Sequence, residues 1–448
     1  MAEVAPFRGL RYNPDKVANL AEVFIPPYDV ISPGQQDLFS TLSPYNMIHL
    51  ELGKSTPGDT ASDNAHTRAA ACLADWQREK VLIREDRPAF YYYELDYSSE
   101  GGGRQTRYGF LCVLRLEDFD KGSVRPHEKT FQTVKDERLG LMKACKANLS
   151  PVFAVYTDDA GAVDRALRDG REPHEIIAFT DMEGMAHRVW RVTGQKALRA
   201  VEQAMKESVI FIADGHHRYE TALNYRSLQR KAFPESSPRA SFNYIMMYLS
   251  DMNQPGLKIL PTHRLLRGLR DWNPERFLEE AAKFFSVVRY DATDSGAAKW
   301  REDLERANCG DEVAIGFYCD GVDGFHLLKG KLGIILPRLE ERGIPGVLQK
   351  QVVVVLDHIV LRELMGLSEA FLADEKNIHF KHVFEDALHG VQSGDFDASF
   401  LINPTRMDHV REVASTGLTM PHKSTYFYPK VGSGIVVHPL SPVEEIVL

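Results

Sequence analysis

The sequence has few cysteines and none of the cysteine patterns that staple small secreted proteins or bind zinc. Its five cysteines are an odd number, are scattered over 448 residues and never form a CxxC pair. Neither a disulfide framework nor a zinc knuckle is therefore indicated. We expect reduced thiols, most of them buried.

Long apolar runs and an excess of positive charge are also absent. The apolar runs, such as that at 352–356, are too short to cross a bilayer, and residues 1–11 lack the apolar stretch of a signal peptide. Fifty-four Lys and Arg against 63 Asp and Glu give a formal net charge of −9, which offers no broad positive field to nucleic acid. We expect a cytoplasmic protein without bulk nucleic-acid or membrane binding.

The composition is that of an ordinary globular protein, with 44% hydrophobic and 26% charged residues. A chain of this length exceeds one hydrophobic core, so two or three packed units are expected. Helix and strand signals alternate, which predicts an α/β (mixed α+β) fold. We expect an N-terminal α/β region over 1–120, a central region over 121–256 and a C-terminal α/β region over 257–448.

Two N-terminal segments carry clear local patterns. Ser32, Pro33 and Gln35 predict the beginning of a helix, with a capping hydroxyl, a preset φ and a reciprocal amide. The segment 46–52 reads as a strand, and in a strand His49 and Glu51 would project from the same face. The pair could serve a site or face solvent.

The strongest local signal for function begins after the apolar run 209–212, which is typical of a buried strand. Asp214-Gly215-His216-His217-Arg218 then forms a turn and begins a helix that must end before Pro234. A helix N-terminus beside an arginine suits a phosphate, and an acid at the end of a strand suits a base or a metal ligand. The alternative is a structural one, in which Asp214 caps the helix.

The adjacent histidines argue against a shared metal ion. Neighbouring side chains diverge on helices and strands, whereas histidines that bind one metal on a helix stand three or four residues apart. A zinc hydrolase is therefore a minor alternative. We expect one of His216 and His217 to face a phosphate and the other the core.

A second polar cluster follows at Arg125, His127 and Glu128. It could contact a phosphate or carboxylate and supply Glu128 as a magnesium ligand, or it could be a solvated run of charges. Lys423 could likewise reach a ligand or be an exposed lysine.

Several segments together resemble one family of bacterial and archaeal proteins, the DUF1015 family, and they run nearly end to end. They include IPPYDVIS at 25–32, DGHHRYE within 211–223 and LPTHR at 260–264. The remaining segments are 46–51, 125–130, 147–151 and 420–430.

The turn at 214–219 also resembles the phosphate-binding turn of the ParB/sulfiredoxin-like superfamily, which includes archaeal ADP-dependent free-serine kinases. This resemblance implies a ParB/sulfiredoxin-like nucleotide-binding core with additional α/β regions. It implies Asp214 as the base, with His216 beside it as a catalytic candidate, and Gly215, His217 and Arg218 as phosphate contacts. An upstream glutamate matters in those kinases, and order along the chain suggests Glu51.

The resemblance implies a nucleotide-dependent phosphotransferase that uses Mg²⁺ and ADP or ATP on a small hydroxylated metabolite such as free serine. Arg125, His127 and Lys423 are further candidates for phosphate or nucleotide contacts, and Glu128 is the candidate metal ligand. Arg125, Glu128 and Lys423 belong to the DUF1015 pattern and have no assigned counterpart in the kinases. The residues that follow Arg218 have the DUF1015 pattern rather than that of the kinases, so the resemblance does not identify the acceptor substrate. A nucleotide-binding switch and a metal-dependent hydrolase stay as alternatives, and a homodimer could form.

Overall fold

The computed structural model describes residues 2–99, 102–128, 130, 132–309, 312–421 and 423–447. The chain forms two compact units. Unit 1 comprises 1–126, 130–258 and 429–448, and unit 2 comprises 127–129 and 259–428. The boundary that we predicted between residues 120 and 121 lies inside unit 1, and the last segment of the chain belongs to unit 1 because it pairs with strands there.

Helices and strands are interspersed along unit 1. Its strands up to the unit boundary are β1 (Val4–Ala5), β2 (Leu10–Tyr12), β3 (Leu82–Arg84), β4 (Phe90–Ser98), β5 (Arg104–Arg115), β6 (Val124–Arg125), β7 (Ala147–Asn148), β8 (Val152–Tyr156), β9 (Ile177–Thr180), β10 (Ala186–Val192), β11 (Ile210–Asp214) and β12 (Tyr244–Asp251). Its helices are α1 (Pro33–Leu42), α2 (Ile48–Glu51), α3 (Ala65–Arg78), α4 (Gln132–Cys145), α5 (Ala162–Gly170), α6 (Gln195–Met205) and α7 (His216–Ala232). Short 3₁₀ turns occupy Leu20–Glu22, Tyr28–Val30, Phe119–Lys121 and Ser241–Asn243.

A mixed sheet with the strand order β6-β11-β8-β12-β5-β4-β10-β9 forms the centre of unit 1, and β1 also pairs with β5. Strand β11 runs parallel to β6 and antiparallel to β8, while β8 and β12 are parallel. Apolar side chains of these strands pack against α5, α6 and α7 in one core, and a second core gathers α1, α2 and α3. The prediction of a mixed α/β fold is confirmed.

Local signals placed several elements correctly. Ser32 accepts the Gln35 backbone N–H, and Gln35 accepts the Ser32 backbone N–H, so the predicted capping box opens α1. The strand at Ile210–Asp214 and the helix at His216–Ala232 are also present, and the helix ends before Pro234. The hydrogen bonds that begin α1 join residues close in sequence, whereas β11 pairs with the distant strands β6 and β8.

The prediction of a strand over 46–52 is wrong. Residues Ile48–Glu51 form the helical turn α2 because the Asn46 side chain accepts the backbone N–H of Ile48 at 2.9 Å and donates to the carbonyl of Glu22 at 2.7 Å. His49 and Glu51 therefore do not share a face. The His49 ring lies 3.2 Å from the Ser43 carbonyl, whereas Glu51 is 3% exposed and bonds elsewhere.

Strand β13 (Lys258–Leu260) lies at the boundary of the units, and the short strand β21 (His438–Pro439) returns to unit 1. The strands of unit 2 are β14 (His263–Leu266), β15 (Phe285–Tyr290), β16 (Ala314–Cys319), β17 (Phe325–Gly330), β18 (Ile378–Lys381), β19 (Ala398–Ile402) and β20 (Tyr426–Tyr428). Its helices are α8 (Pro274–Phe284), α9 (Asp294–Cys309), α10 (Leu332–Glu341), α11 (Gly346–Gln349), α12 (Val352–Val355), α13 (Glu369–Ala373), α14 (Phe384–Gln392) and α15 (Met407–Ser415), with a π-helical segment at Leu356–Leu364.

Unit 2 is built on an antiparallel sheet with the order β15-β17-β16-β19-β14-β18. Trp300 of α9 and Leu401 of β19 are fully buried in its core, beside Ala387 of α14. Strand β19 thus lies inside the sheet, and the residues that follow it leave the sheet at one edge.

Four cysteine thiols are free, as expected. Cys112 and Cys319 are buried, and Cys72 and Cys145 are partly buried. The side chain of Cys309 lies outside the described residues. Within the described ranges, no helix has both the length and the apolar character needed to span a bilayer.

Candidate functional site

A β-bulge ends strand β11 just before the predicted turn. Phe211 and Ile212 pair with Val155 and Ala154 of β8, but the next pair is Asp214 with Phe153, so the ladder skips Ala213. An extra residue of this kind bends a strand and re-aims the side chain that follows. The bulge thus redirects the Asp214 carboxylate at the end of a strand whose Ile210 and Ile212 are fully buried.

Gly215 connects the bulge to helix α7 in the left-handed conformation, with φ 87° and ψ 31°. A side chain is disfavoured there by the backbone alone. A Cβ at this position would also lie 2.7 Å from Nε of Arg218. The close approach of the Arg218 guanidinium to the turn therefore requires a glycine.

Asp214 accepts from two cations, and we call Asp214, Arg218 and Lys430 the Asp214 cluster. Arg218 Nη2 donates to Asp214 Oδ2 at 2.7 Å, and Lys430 Nζ donates to Asp214 Oδ1 at 2.6 Å. The side chains are 14%, 8% and 12% exposed in the order Asp214, Arg218, Lys430. The cluster holds one more positive than negative charge in a largely desolvated place, where such interactions are strong.

A buried arginine holds the segment that carries Lys430. Arg107 is fully buried, and its Nη1 donates to the carbonyl of Pro429, the residue before Lys430. Its guanidinium carbon lies 5.1 Å from the ring centroid of Phe153 and 4.8 Å from that of Tyr248. Cation–π contacts with two rings of the sheet thus anchor the chain next to Lys430.

A small cavity of about 40 Å³ lies beside the cluster, lined by Glu51, Arg138, Ser150 and Arg218 among others. Glu51 Oε1 accepts from the Ser150 hydroxyl at 2.8 Å and from Arg138 Nη1 at 3.4 Å. Glu51 Oε2 and Arg218 Nε are buried and have no hydrogen-bond partner within the described part of the chain. The volume suffices for about one or two waters, which could satisfy both atoms.

Tyr28 packs against Arg138, which lines the cavity. The Arg138 guanidinium carbon lies 4.1 Å from the centroid of the Tyr28 ring. Burial raises the pKa of the Tyr28 hydroxyl far above its ordinary value, and the nearby Asp29 raises it further, while Arg218 and Arg138 oppose the shift. The hydroxyl therefore stays protonated and can donate a hydrogen bond.

The structure gathers part of the predicted site in unit 1. Asp214, Gly215 and Arg218 form one corner, and Glu51 lines the same cavity as Arg218. His216 and His217 occupy the first turn of α7, where His216 is 5% exposed and His217 is partly exposed. The two side chains thus differ in burial, as expected for neighbours on a helix.

Arg125 lies on β6, directly beside β11, and its backbone pairs in register with Phe211. Its Nε donates to the carbonyl of Gly122 at 3.1 Å, so part of the guanidinium serves the local turn.

The other predicted residues, His127, Glu128 and Lys423, belong to unit 2. The His127 ring lies 2.7 Å from the Thr425 hydroxyl, and the carbonyl of Lys423 accepts from Arg264 Nη2 at 3.0 Å. Glu128 forms a parallel bridge with Met420. No group of three or more His, Cys, Asp or Glu side chains suited to a metal ion occurs among the residues that the structure describes. The role of Glu128 as a metal ligand stays a prediction.

Sequence reasoning missed several residues that the structure brings to this corner. Lys430, Arg107, Arg138, Ser150 and Tyr28 surround Asp214, Arg218 and Glu51. Three of them offered a signal, since Tyr28, Ser150 and Lys430 lie within the segments that carry the family resemblance. In the segment 420–430, Lys423 is the candidate ligand contact predicted from the sequence, but the lysine that donates to Asp214 is Lys430.

Comparison with known proteins gives a family but no close relative. No curated protein matches the chain. Among solved structures, a free serine kinase in complex with AMP is 13% identical with a TM-score of 0.34, covering 70% of this chain and 88% of its own. A conserved hypothetical protein from Pyrococcus furiosus is 14% identical with a TM-score of 0.35 (70% and 92% covered), and C-terminally truncated SbnI from Staphylococcus aureus is 11% identical with a TM-score of 0.33 (72% and 86%).

These likenesses to solved structures are too distant to carry an argument about this chain. The sequence profile of one family, described as a protein of unknown function (DUF1015), matches residues 4–357. That match takes in β11, the turn at Gly215 and the whole of unit 1 up to residue 258 except for its first residues. The chain belongs to the DUF1015 family.

Proposed function

We propose that the Asp214 cluster binds the phosphates of a nucleotide and that the protein transfers a phosphoryl group to a small hydroxylated metabolite, with free serine as the first candidate. The observation that carries this proposal is the bulge that presents Asp214 between Arg218 and Lys430 at the beginning of α7. Phosphoryl transfer needs mainly positioning and neutralisation of negative charge, and a carboxylate with two cations supplies both.

The phosphate end of the site would lie at the beginning of α7. This helix runs over His216–Ala232, and its dipole adds positive potential at Gly215. Arg218 and Lys430 supply full charges at the same place. The resemblance of the turn at 214–219 to the phosphate-binding turn of the ParB/sulfiredoxin-like superfamily supports the same assignment.

Asp214 would act as the base in the transfer step. The hydroxyl oxygen of the acceptor forms a bond to the terminal phosphorus, the bond from that phosphorus to the bridging oxygen breaks, and the hydroxyl proton moves to Asp214. Both carboxylate oxygens accept a hydrogen bond from a cation, and a carboxylate oxygen can accept more than one hydrogen, so the carboxylate can take up the proton. The departing nucleotide keeps the bridging oxygen, so the atoms balance.

Access to the cluster sets a limit on how the nucleotide binds. The cavity of about 40 Å³ is far smaller than the roughly 300 Å³ of small-molecule sites. A nucleotide would therefore bind at the exposed side of Asp214 and Lys430, where its phosphates would interact with these charged side chains, rather than enter the cavity. Glu51, buried beside Arg218, would orient that arginine rather than contact the substrate.

A magnesium ion does not fit as a direct ligand of Asp214 in this arrangement, because it would place a divalent cation beside Arg218 and Lys430, which both bind the carboxylate. Magnesium commonly binds through substrate phosphates with only one or two carboxylates. We therefore derive no step through the metal, and Glu128 stays a prediction that lies in unit 2.

Phosphorus NMR of the protein with Mg²⁺, serine and ADP or ATP tests the proposal. We expect a new phosphomonoester resonance, and we expect Asp214→Asn to lower its rate of formation by about 10²–10⁴ while leaving the fold intact, because a general base has been lost. Wild-type turnover by that variant would remove the base from the mechanism.

A nucleotide-binding switch without transfer is the second candidate, and one observation favours it. Arg218 is already engaged by Asp214 and Pro151, so nucleotide binding could exchange these partners and shift a conformation instead of catalysing transfer. Saturable nucleotide binding without phosphomonoester from any small metabolite pool would support this candidate over the kinase.

A further inference from the structure

We propose that unit 2 contains a second binding site, for a small organic anion, in a polar cavity at the carboxyl end of β19. The cavity has a volume of about 420 Å³, within the range of small-molecule sites. It is lined by residues 403–406, which follow β19, by the exposed face of α15, and by residues 346–352 around α11. We call it the α15 cavity.

The buried wall of the α15 cavity carries a polar side chain without a protein partner. Gln351 is 3% exposed, yet its terminal amide makes no hydrogen bond with any part of the chain that the structure describes. Its backbone N–H is satisfied by Leu348 and its carbonyl by Val354 and Val355. Buried amides are nearly always hydrogen-bonded, so an amide left over beside a cavity indicates a partner that the chain does not supply.

A second buried amide faces the same space. Asn403 is 7% exposed and donates from Nδ2 to the carbonyl of Leu304 at 2.6 Å. Its Oδ1 makes no hydrogen bond in the described structure and is open as an acceptor. Together with Gln351 it offers a donor and two acceptors to an occupant of the cavity.

Positive charge in the α15 cavity comes from Arg406 and Lys350, which both line it. Arg406 is the N-cap residue of α15 and makes no side-chain cap bond. The first helical hydrogen bond of α15 runs from Val410 N to the Arg406 carbonyl, so the helix begins at the Arg406 end of the cavity. The N-terminus of a helix next to an arginine favours an oxyanion. Asp408 is near Arg406, at 3.8 Å, and moderates this charge.

Negative charge comes from Glu412, farther along the same helix, and from Glu312, which also lines the cavity. Arg406, His409 and Glu412 are spaced by three residues and so share one face of α15, and all three line the cavity. At 1.5 Å per residue, Glu412 lies about 9 Å along the axis from Arg406. A ligand that fits carries a carboxylate or phosphate at the Arg406 end and hydroxyl or amino groups that Glu412 can accept from. We infer that a small hydroxylated or aminated organic anion occupies the cavity.

Inorganic phosphate serves as the probe, and the imidazole resonance of His409 as the reporter, assigned by its loss in His409→Gln. We expect phosphate to shift this resonance saturably, and we expect the half-saturating concentration to rise at least tenfold in Arg406→Ala and in Gln351→Leu. Arg411→Ala, on the same helix but outside the lining, should titrate like the wild type and serves as the control for charge.

Two further measurements separate this site from the Asp214 cluster and from general salt effects. Asp214→Asn should leave the His409 titration unchanged, whatever it does to turnover, so failure of one proposal does not hide failure of the other. Potassium chloride at the same ionic strength should not reproduce the shift. An equal shift with chloride, no saturable shift with phosphate, or unchanged titrations in both Arg406→Ala and Gln351→Leu would each overturn the proposal.

Discussion

The Asp214 cluster of unit 1 and the α15 cavity of unit 2 use polar residues in opposite ways. In the cluster, every carboxylate oxygen of Asp214 binds a cation within 2.7 Å, and the neighbouring cavity has room for about one or two waters. In the α15 cavity the space is about tenfold larger, and Gln351 and Asn403 have hydrogen-bonding atoms that the described chain leaves unused. In the Asp214 cluster the charged side chains bind one another, whereas in the α15 cavity the proposed ligand would supply the missing hydrogen bonds.

The largest expected difference is in the loss of stability when an arginine is replaced by methionine in each of the two places. Arg218→Met removes one of the two cations that donate to the buried Asp214 carboxylate, so we expect unit 1 to lose about 3–5 kcal/mol of stability. Arg406→Met removes a side chain that is 40% exposed, so we expect unit 2 to change by less than about 0.5 kcal/mol.

Urea-dependent hydrogen exchange in β8 and β12 reports on unit 1 alone, and exchange in β16 and β19 reports on unit 2. This separation matters because a chain with two units need not unfold in one step. Similar losses in both variants would mean that the two regions do not differ as described.

Two glycine-to-alanine substitutions in unit 1 test how firmly the Asp214 cluster is held, with a smaller expected loss of stability. Gly215→Ala places a Cβ at a φ of 87° and 2.7 Å from Nε of Arg218, so we expect a loss of about 2–4 kcal/mol from backbone strain and displacement of the arginine. Gly122→Ala is the matched control in the same unit, because its φ is 77° and no atom of the described residues lies within 4 Å of the new Cβ.

The control should show the backbone cost alone, about 1–2 kcal/mol. The difference between the two variants therefore measures how firmly Arg218 is held against Asp214, by the same exchange measurement in β8. If the two alanines cost the same, the guanidinium moves aside freely and the cluster is looser than its distances imply.

How far the site could be predicted depends on the separation of its residues in the sequence. Asp214 and Arg218 stand four residues apart on a strand end and the helix that follows, so their meeting follows from local geometry. Lys430 lies 216 residues away from Asp214, and no local pattern links them. The bulge at Ala213 likewise depends on the register with β8, which the sequence of β11 alone does not set.

The error at 46–52 has a similar origin. Alternating apolar residues favour a strand when no other interaction competes, but Asn46 bonds to Ile48 locally and to Glu22, which is far in sequence. For the helix that begins after Ser32, the sequence pattern and the hydrogen bonds agree, because Ser32 and Gln35 bond to each other within one turn. Of these two segments, the prediction held for the one whose deciding hydrogen bonds are local.

The last comparison concerns one buried histidine in each unit, where the expected change in stability is small for each pH unit. Burial lowers the pKa of His438 in unit 1 to about 3, helped by the nearby Arg84, and burial lowers the pKa of His263 in unit 2 to about 3, helped by His382 and Arg264. Each ring is neutral in the folded chain but takes up a proton in the unfolded chain below about pH 6.5. The unfolded state thus binds more protons, and stability falls as the pH drops from about 6.5 towards 3.

Each histidine should contribute a loss of about 1 kcal/mol per pH unit across the middle of this range, measured as exchange in its own unit between pH 6 and pH 4. His438→Phe keeps the edge-on packing against Phe7, whose ring centroid is 5.2 Å away, and should flatten the slope in unit 1 only. His263→Phe should flatten the slope in unit 2, but at a lower stability at every pH, because the His263 Nδ1 accepts the backbone N–H of Ile402 at 3.2 Å and phenylalanine cannot. Comparison at pH 8, where both rings are neutral in both states, isolates this packing and hydrogen-bond cost. Unchanged slopes in the two variants would mean that the rings gain protons without unfolding.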